Sequence, residues 1–238
     1  MKRTLLIVEF LLLTLAPVLA MGEVSSSELL RRVEKHYSCA DAFIILFSQQ
    51  TTSMAGTAMA TEASGRLFYQ RPRKMRWEYE KPEAQVFVLS DSRAWLYVPG
   101  DCQITVFGER DFFCSPVIRS LFDDILALEK HFLVRLKAKS SNKDTFLLEL
   151  VPRSENYNIR SVELWVDSKC YRIVSLQTRD VLGNTNRIYF ELEKAVSNVS
   201  DKFFQFQVPP STLVIDSRGR VLSEKEILQF QKEVNKEL

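Results

Sequence analysis

GRLFYQRPRKMRWEYEKPE, residues 65–83, alternates apolar and charged side chains around a central Arg-Pro pair. In an extended chain alternate residues share a face. Leu67, Tyr69, Arg71, Arg73, Met75, Trp77 and Tyr79 fall on one side. Arg66, Gln70, Lys74, Arg76 and Glu78 fall on the other, with Phe68 as the exception. One side is apolar and the other solvated, the pattern of a half-buried sheet. Pro72 cannot donate to a strand ladder and marks a place where a bulge would reset the register.

Arg71 is the anomaly on the apolar side. The simpler reading makes it an edge residue of an ordinary core-facing strand. A buried arginine, however, must find acceptors, because an unpaired charge in an apolar interior is prohibitively costly. The orphan carbonyls at a helix C-terminus supply them, at the negative end of the helix dipole. Arg71 is therefore read as a latch for a helix lying over the sheet, and a latch can open.

Working outward, strand patterns recur at short spacing. They cover Phe43–Gln50, Ala58–Tyr69, Met75–Tyr79, Gln85–Ser90, Ala94–Val98 and Gln103–Phe107, separated by turns rich in Asp, Ser, Pro and Gly. They resume over Phe132–Lys137, Thr145–Val151, Ser161–Asp167, Tyr171–Asp180 and Asn186–Glu193, with DVLGNTNR as the last tight turn. Such spacing predicts antiparallel pairing in one large sheet or open barrel. Three helices are expected. In residues 25–38, Ser25 and Glu28 have capping-box spacing and Leu29, Val33 and Tyr37 follow the helical period. Near residue 115, Ser115 and Pro116 precede an apolar arc through Ile118, Leu121 and Phe122. In the charged appendix 217–238, Ser223 and Glu226 repeat the capping box, and Ile227, Phe230, Val234 and Leu238 share a face. That appendix reads as a packed terminal helix, with a partner-binding tail as the alternative.

Lys2 and Arg3 precede an apolar run from Leu5 to Leu19 that closes on Ala20. This is the layout of a secretory signal cleaved after residue 20. The run is shorter than the roughly 20 apolar residues a spanning helix needs. The first cysteine is Cys39, so no lipidation site follows the run. The whole chain carries a formal net charge of +2, and loss of residues 1–20 leaves it near +1. A nearly neutral exported protein has no bulk electrostatic reason to seek nucleic acid. Cys39, Cys102, Cys114 and Cys170 permit disulfides without specifying them, and a Cys102–Cys114 bridge would close a short loop. Metal-ligand spacing is missing, as is a G-x-S-x-G elbow. Neither a metal site, a cofactor nor a catalytic residue is expected.

In order and spacing, Gly65, Arg71-Pro72, Trp77, Pro82-Glu83, Trp95 and Tyr97-x-Pro99 resemble the LolA-type periplasmic carriers of outer-membrane lipoproteins. SPVIRSLF stands where that family's lid helix lies, and DVLGNTNRIYFEL and FQFQVPPSTLVID look like its closing strands. The resemblance covers roughly residues 22–216. It implies a mainly β (α+β) fold, an unclosed, strongly curved antiparallel half-barrel with a lid of α-helices over a hydrophobic cavity. It divides the chain into a signal peptide (1–20), a carrier domain (21–216) and the appendix (217–238).

By the same resemblance Arg71 latches the lid in the empty state. Leu67, Tyr69, Met75, Trp77 and Tyr79 line the acyl-chain cavity, together with Trp95 and Tyr97. Leu29, Val33, Ile118, Leu121 and Phe122 line it from the helices. The implied partners are acylated lipoproteins, an inner-membrane lipoprotein-releasing ABC transporter and an outer-membrane lipoprotein receptor, met by a monomer in the periplasm. The competing reading is a periplasmic lipid sensor, or a carrier of another lipid, built on the same half-barrel.

Overall fold

The computed structural model describes residues 24–54, 60–90, 93–108, 117, 120–121, 124–137, 144–154 and 158–236. Six strands follow one another as a meander: β1 (Ala42–Thr52), β2 (Ala60–Gln70), β3 (Lys74–Lys81), β4 (Gln85–Ser90), β5 (Arg93–Val98) and β6 (Gln103–Phe107). Five more form a second meander: β7 (Phe132–Lys137), β8 (Thr145–Pro152), β9 (Ile159–Asp167), β10 (Ile173–Asp180) and β11 (Thr185–Val196). With β12 (Leu213–Asp216) they make a single 12-stranded sheet in the order β12-β6-β5-β4-β3-β2-β1-β11-β10-β9-β8-β7. The end strands β12 and β7 do not pair with each other, so the curved sheet stays unclosed. The two meanders are joined along β1 and β11, which pair antiparallel over their whole length with one irregularity at Leu46/Phe47.

Residues 65–83 fold as a hairpin of β2 and β3, as the separate strand patterns Ala58–Tyr69 and Met75–Tyr79 imply. Leu67 pairs with Trp77 and Tyr69 with Met75, so the odd-numbered residues of both strands share a face. The expected irregularity at Pro72 is instead the hairpin turn itself, with Arg73 in the left-handed region at φ 52°. The real register shift lies between Ser64 and Gly65. A Cβ at Gly65 would stand 1.9 Å from the Glu78 carbonyl oxygen, which is why only glycine fits there. The antiparallel expectation fails once: β12 pairs parallel to β6.

Helix α1 (Ser26–Tyr37) starts where expected, the Ser25 hydroxyl accepting the Glu28 N–H at 3.2 Å. A helix of this length is marginal alone. Leu29, Leu30, Val33 and Tyr37 are all buried against the sheet, each contributing about 1.5–3 kcal/mol. Strands β6 and β7 lie towards opposite edges of the sheet and are linked by the connector 108–131. Its described residues Val117, Leu121, Ile125 and Leu128 join the same core as α1. The connector ends in a 3₁₀ turn (Ile125–Ala127) and the short helix α2 (Leu128–His131), where the Glu129 carboxylate accepts the Ser27 hydroxyl at 2.7 Å.

A second core lies on the opposite face. Helix α3 (Glu224–Lys236) has the full capping box, Ser223 and Glu226 exchanging hydrogen bonds in both directions. Phe230 and Val234 are buried with Trp95, Phe204 and Phe206. Helix α3 of the appendix thus packs against the outer face, as the packed-terminal-helix reading expects; Leu238 lies outside the described residues. Residues 1–20 also lie outside them. Among the described residues Cys39, Cys102 and Cys170 are exposed and not bridged to one another. Cys114 itself lies outside the described residues.

Candidate functional site

The inner face of the sheet carries a run of aromatic rings. Phe47, on the central strand β1, meets Trp77 and Tyr79 edge-on, with ring centroids 5.0 and 5.1 Å apart. Trp77 also faces Phe190 of β11 at 6.4 Å, and Phe43 stacks on Tyr69 at 6.4 Å. Leu67 and Met75 fill the spaces between these rings, and Leu29 and Val33 of α1 and Leu121 of the connector close over them. Leu67, Tyr69, Met75, Leu29 and Val33 are all fully buried. Eight of the twelve expected lining residues thus meet in one apolar layer between sheet and helix. Ile118 and Phe122 lie outside the described residues.

Trp95 and Tyr97 do not belong to this layer. In β5 Ala94 faces the inner layer, and Trp95 points to the other face. There it meets Phe206 at 5.3 Å and Phe230 at 6.3 Å, both edge-on. Strand β5 is apolar on both sides because both faces are covered, so alternation alone could not assign its tryptophan. Conversely, Phe43, Phe47 and Phe190 are inner-face residues that the sequence reading missed. The alternation of Phe43, Ile45 and Phe47 along β1 was the available signal.

Among the described residues, polar groups gather at the margins of the inner layer. The Tyr79 hydroxyl donates to Gln49 Oε1 at 3.0 Å. At the C-terminal end of α1 the Tyr37 hydroxyl donates to Glu193 Oε2 at 2.9 Å and accepts the Ile173 N–H at 3.0 Å. His36 Nε2 stands 2.7 Å from the other Glu193 oxygen. Burial, with the Glu193 carboxylate beside it, holds the Tyr37 hydroxyl well above the ordinary tyrosine range. This cluster ties the end of α1 to β10 and β11.

Arg71 sits in the β2–β3 turn, half-buried, its backbone N–H donating to the Asp41 carbonyl at 2.8 Å and its Nε shielded from solvent. The turn thus places the arginine at the rim of the sheet. The outer face of the sheet bears a separate cleft of about 370 Å³ between Trp95, Tyr97 and Phe203, rimmed by Arg76 and Lys202.

The sheet is thus left unclosed, with an aromatic inner face under α1 and the connector. Residues 38–207 match the family described as outer membrane lipoprotein carrier protein LolA. The chain belongs to the LolA family. The outer-membrane lipoprotein carrier protein of Methylococcus capsulatus is 26% identical over 213 residues, spanning 88% of this chain and 99% of that one. That of Pseudomonas aeruginosa is 26% identical over 201 residues, spanning 83% and 94%. A solved structure of an uncharacterized conserved protein from Thermus thermophilus is similar in fold, with a TM-score of 0.51 at 16% identity, spanning 79% of this chain and 97% of that one. The LolA match contains strands β1 to β11 and the latch candidate Arg71, but ends before β12 and α3.

Proposed function

We propose that this LolA-family protein is a periplasmic, non-enzymatic carrier that shields the acyl chains of lipoproteins on their way to the outer membrane. The observation that carries the reading is the family match across the sheet, joined to an aromatic inner face placed under helices. In this reading residues 1–20 direct export. The protein then receives cargo from an inner-membrane ABC transporter and hands it to an outer-membrane receptor.

Physical magnitudes favour a closed empty form. Burying acyl chains gains about 0.8 kcal/mol per CH₂, so a chain of about 15 methylenes is worth roughly 12 kcal/mol. A carrier that kept all of that gain would not release its load. Leu29 and Val33 pack into the inner layer, so cargo entering it must displace them and part of the gain is spent on opening. Arg71, at the rim, sets part of that opening cost.

The deciding experiment is purification of the protein from envelope extracts with mass spectrometry of what it holds. Acylated lipoproteins, lost on Trp77→Glu, support carriage. Phospholipid alone, with lipoproteins still reaching the outer membrane in a depleted strain, would replace this reading with a lipid sensor or general lipid carrier.

A further inference from the structure

Met54, Val181 and Leu182 are exposed at 68%, 60% and 77%, and they meet at one end of the sheet. Met54 follows β1, while Val181 and Leu182 form the turn from β10 into β11, the neighbour of β1. A Cβ at Gly183 would sit 3.2 Å from Met54 Cγ, so the two turns touch. Single exposed apolar residues are ordinary. Three gathered where the end of β1 meets the β10–β11 turn form a small exposed apolar knob instead.

The polar backbone of this knob is turned inward. The Asp180 carboxylate accepts the Asn184 N–H at 2.8 Å and the Asn184 side-chain amide at 2.7 Å, and the Leu182 and Gly183 N–H groups also bond to it. The Val181 N–H donates to the Asn158 carbonyl at 3.3 Å, and the Met54 N–H to Asn184 Oδ1 at 3.0 Å. A lipid phase supplies no hydrogen-bond partners, so a segment that enters it must satisfy its own groups. The N–H groups of this turn are satisfied while its side chains stay apolar and outward.

The strands behind the knob carry cations. Arg179 directly precedes the turn and is exposed, and Arg160 is exposed on the adjoining strand β9. Arg187 of β11 is held between the rings of Trp165 and Tyr189, at 4.2 and 4.7 Å from their centroids. The acid in the turn, Asp180, is the one occupied by its N–H groups. An apolar tip backed by arginines matches the order of layers in an anionic bilayer, with acyl chains beneath negative headgroups.

We propose that the Met54–Val181–Leu182 knob is a membrane-contact site that dips into an anionic bilayer surface. This goes beyond the carrier reading but rests on it, since a carrier that loads and unloads acyl chains works beside membranes. The test uses the purified protein and vesicles of phosphatidylethanolamine with phosphatidylglycerol. Val181→Ser combined with Leu182→Ser is expected to lower the vesicle-bound fraction by roughly tenfold or more, the worth of one apolar side chain leaving water. Leu228→Ser, removing an exposed leucine on α3 away from the knob, is expected to leave binding unchanged.

A second readout follows depth. Leu182→Trp is expected to shift its emission to the blue on vesicles and to be quenched by brominated acyl chains. Unchanged binding of the serine variant, an equal loss in Leu228→Ser, or no quenching would overturn the proposal. So would self-association abolished by the same serine substitutions, which would make a second copy the occupant. Uptake of acylated lipoprotein in detergent solution is measured alongside. Uptake without vesicle contact sinks the knob alone, whereas absent uptake by the unaltered protein sinks the carrier reading.

Discussion

Trp77 and Trp95 stand two strands apart in the same sheet, equally buried, and face opposite ways. Trp77 looks into the layer beneath α1, where it meets Phe47 and Phe190. Trp95 looks outward beneath α3, where it meets Phe206 and Phe230. The sheet thus separates an inner layer, the proposed cargo site, from an outer layer in which Trp95 packs beneath α3.

Substitutions at the two tryptophans should separate accordingly. Trp95→Ala is expected to cost about 3–5 kcal/mol of stability and to raise hydrogen exchange across α3, while cargo binding at a permissive temperature persists. Trp77→Glu is expected to abolish cargo binding. Loss of cargo binding by folded Trp95→Ala would contradict this division of the two faces.

Gly65→Ala should destabilise the β2–β3 hairpin. The new methyl would overlap the Glu78 carbonyl, and strand backbone must shift to admit it. Overpacking of this kind costs about 1–3 kcal/mol. A fall in the thermal midpoint is the expected result, with the hairpin exchanging first; an unchanged midpoint would mean that the strands part at no cost.

The buried hydroxyl of Tyr37 predicts alkaline sensitivity. Its pKa is raised in the fold, so on raising the pH the unfolded chain loses this proton first. Its contribution is fully present below about pH 10 and is lost as the pH climbs towards the folded value. Burial raises Tyr79 as well and acts in the same direction. Urea midpoints should therefore drop above about pH 10, and less steeply in Tyr37→Phe. That variant should also be less stable at neutral pH, by about 1–3 kcal/mol, because the Ile173 N–H loses its acceptor. Equal slopes for the two proteins would show that another group governs the alkaline limb.

Arg71→Leu tests the latch. With its guanidinium gone from the rim, hydrogen exchange in α1 should rise and lipoprotein hand-over should slow, while the hairpin stays folded. Wild-type exchange and wild-type transfer together would remove Arg71 from the opening step.

Much of this was legible in the chain itself. Alternation placed Leu67, Tyr69, Met75 and Trp77 on one face, and the hairpin preserved that placement because its register pairs odd positions with odd positions. Capping-box spacing located the starts of α1 and α3. The side taken by Trp95 was not legible. AWLYV, after Arg93, shows no apolar–polar alternation, and its register against Val88 is a tertiary fact. The parallel pairing of β12 was equally hidden, since four residues carry no sign of which edge they will join. Arg71 looked like a core residue because a two-residue period runs straight through a tight turn without registering the reversal.

Every strand of each meander meets its successor across a short connection, whereas β1 and β11 meet across nearly the whole length of the domain. Closing so long a loop costs entropy before any pair is formed, and contacts of such sequence separation slow folding. Each meander has its local pairings to hand early. Their union has to wait until residues 185–196 have been delivered. The step that turns two ribbons into one vessel is therefore the late one, and until it occurs the aromatic rings of both halves are open to water.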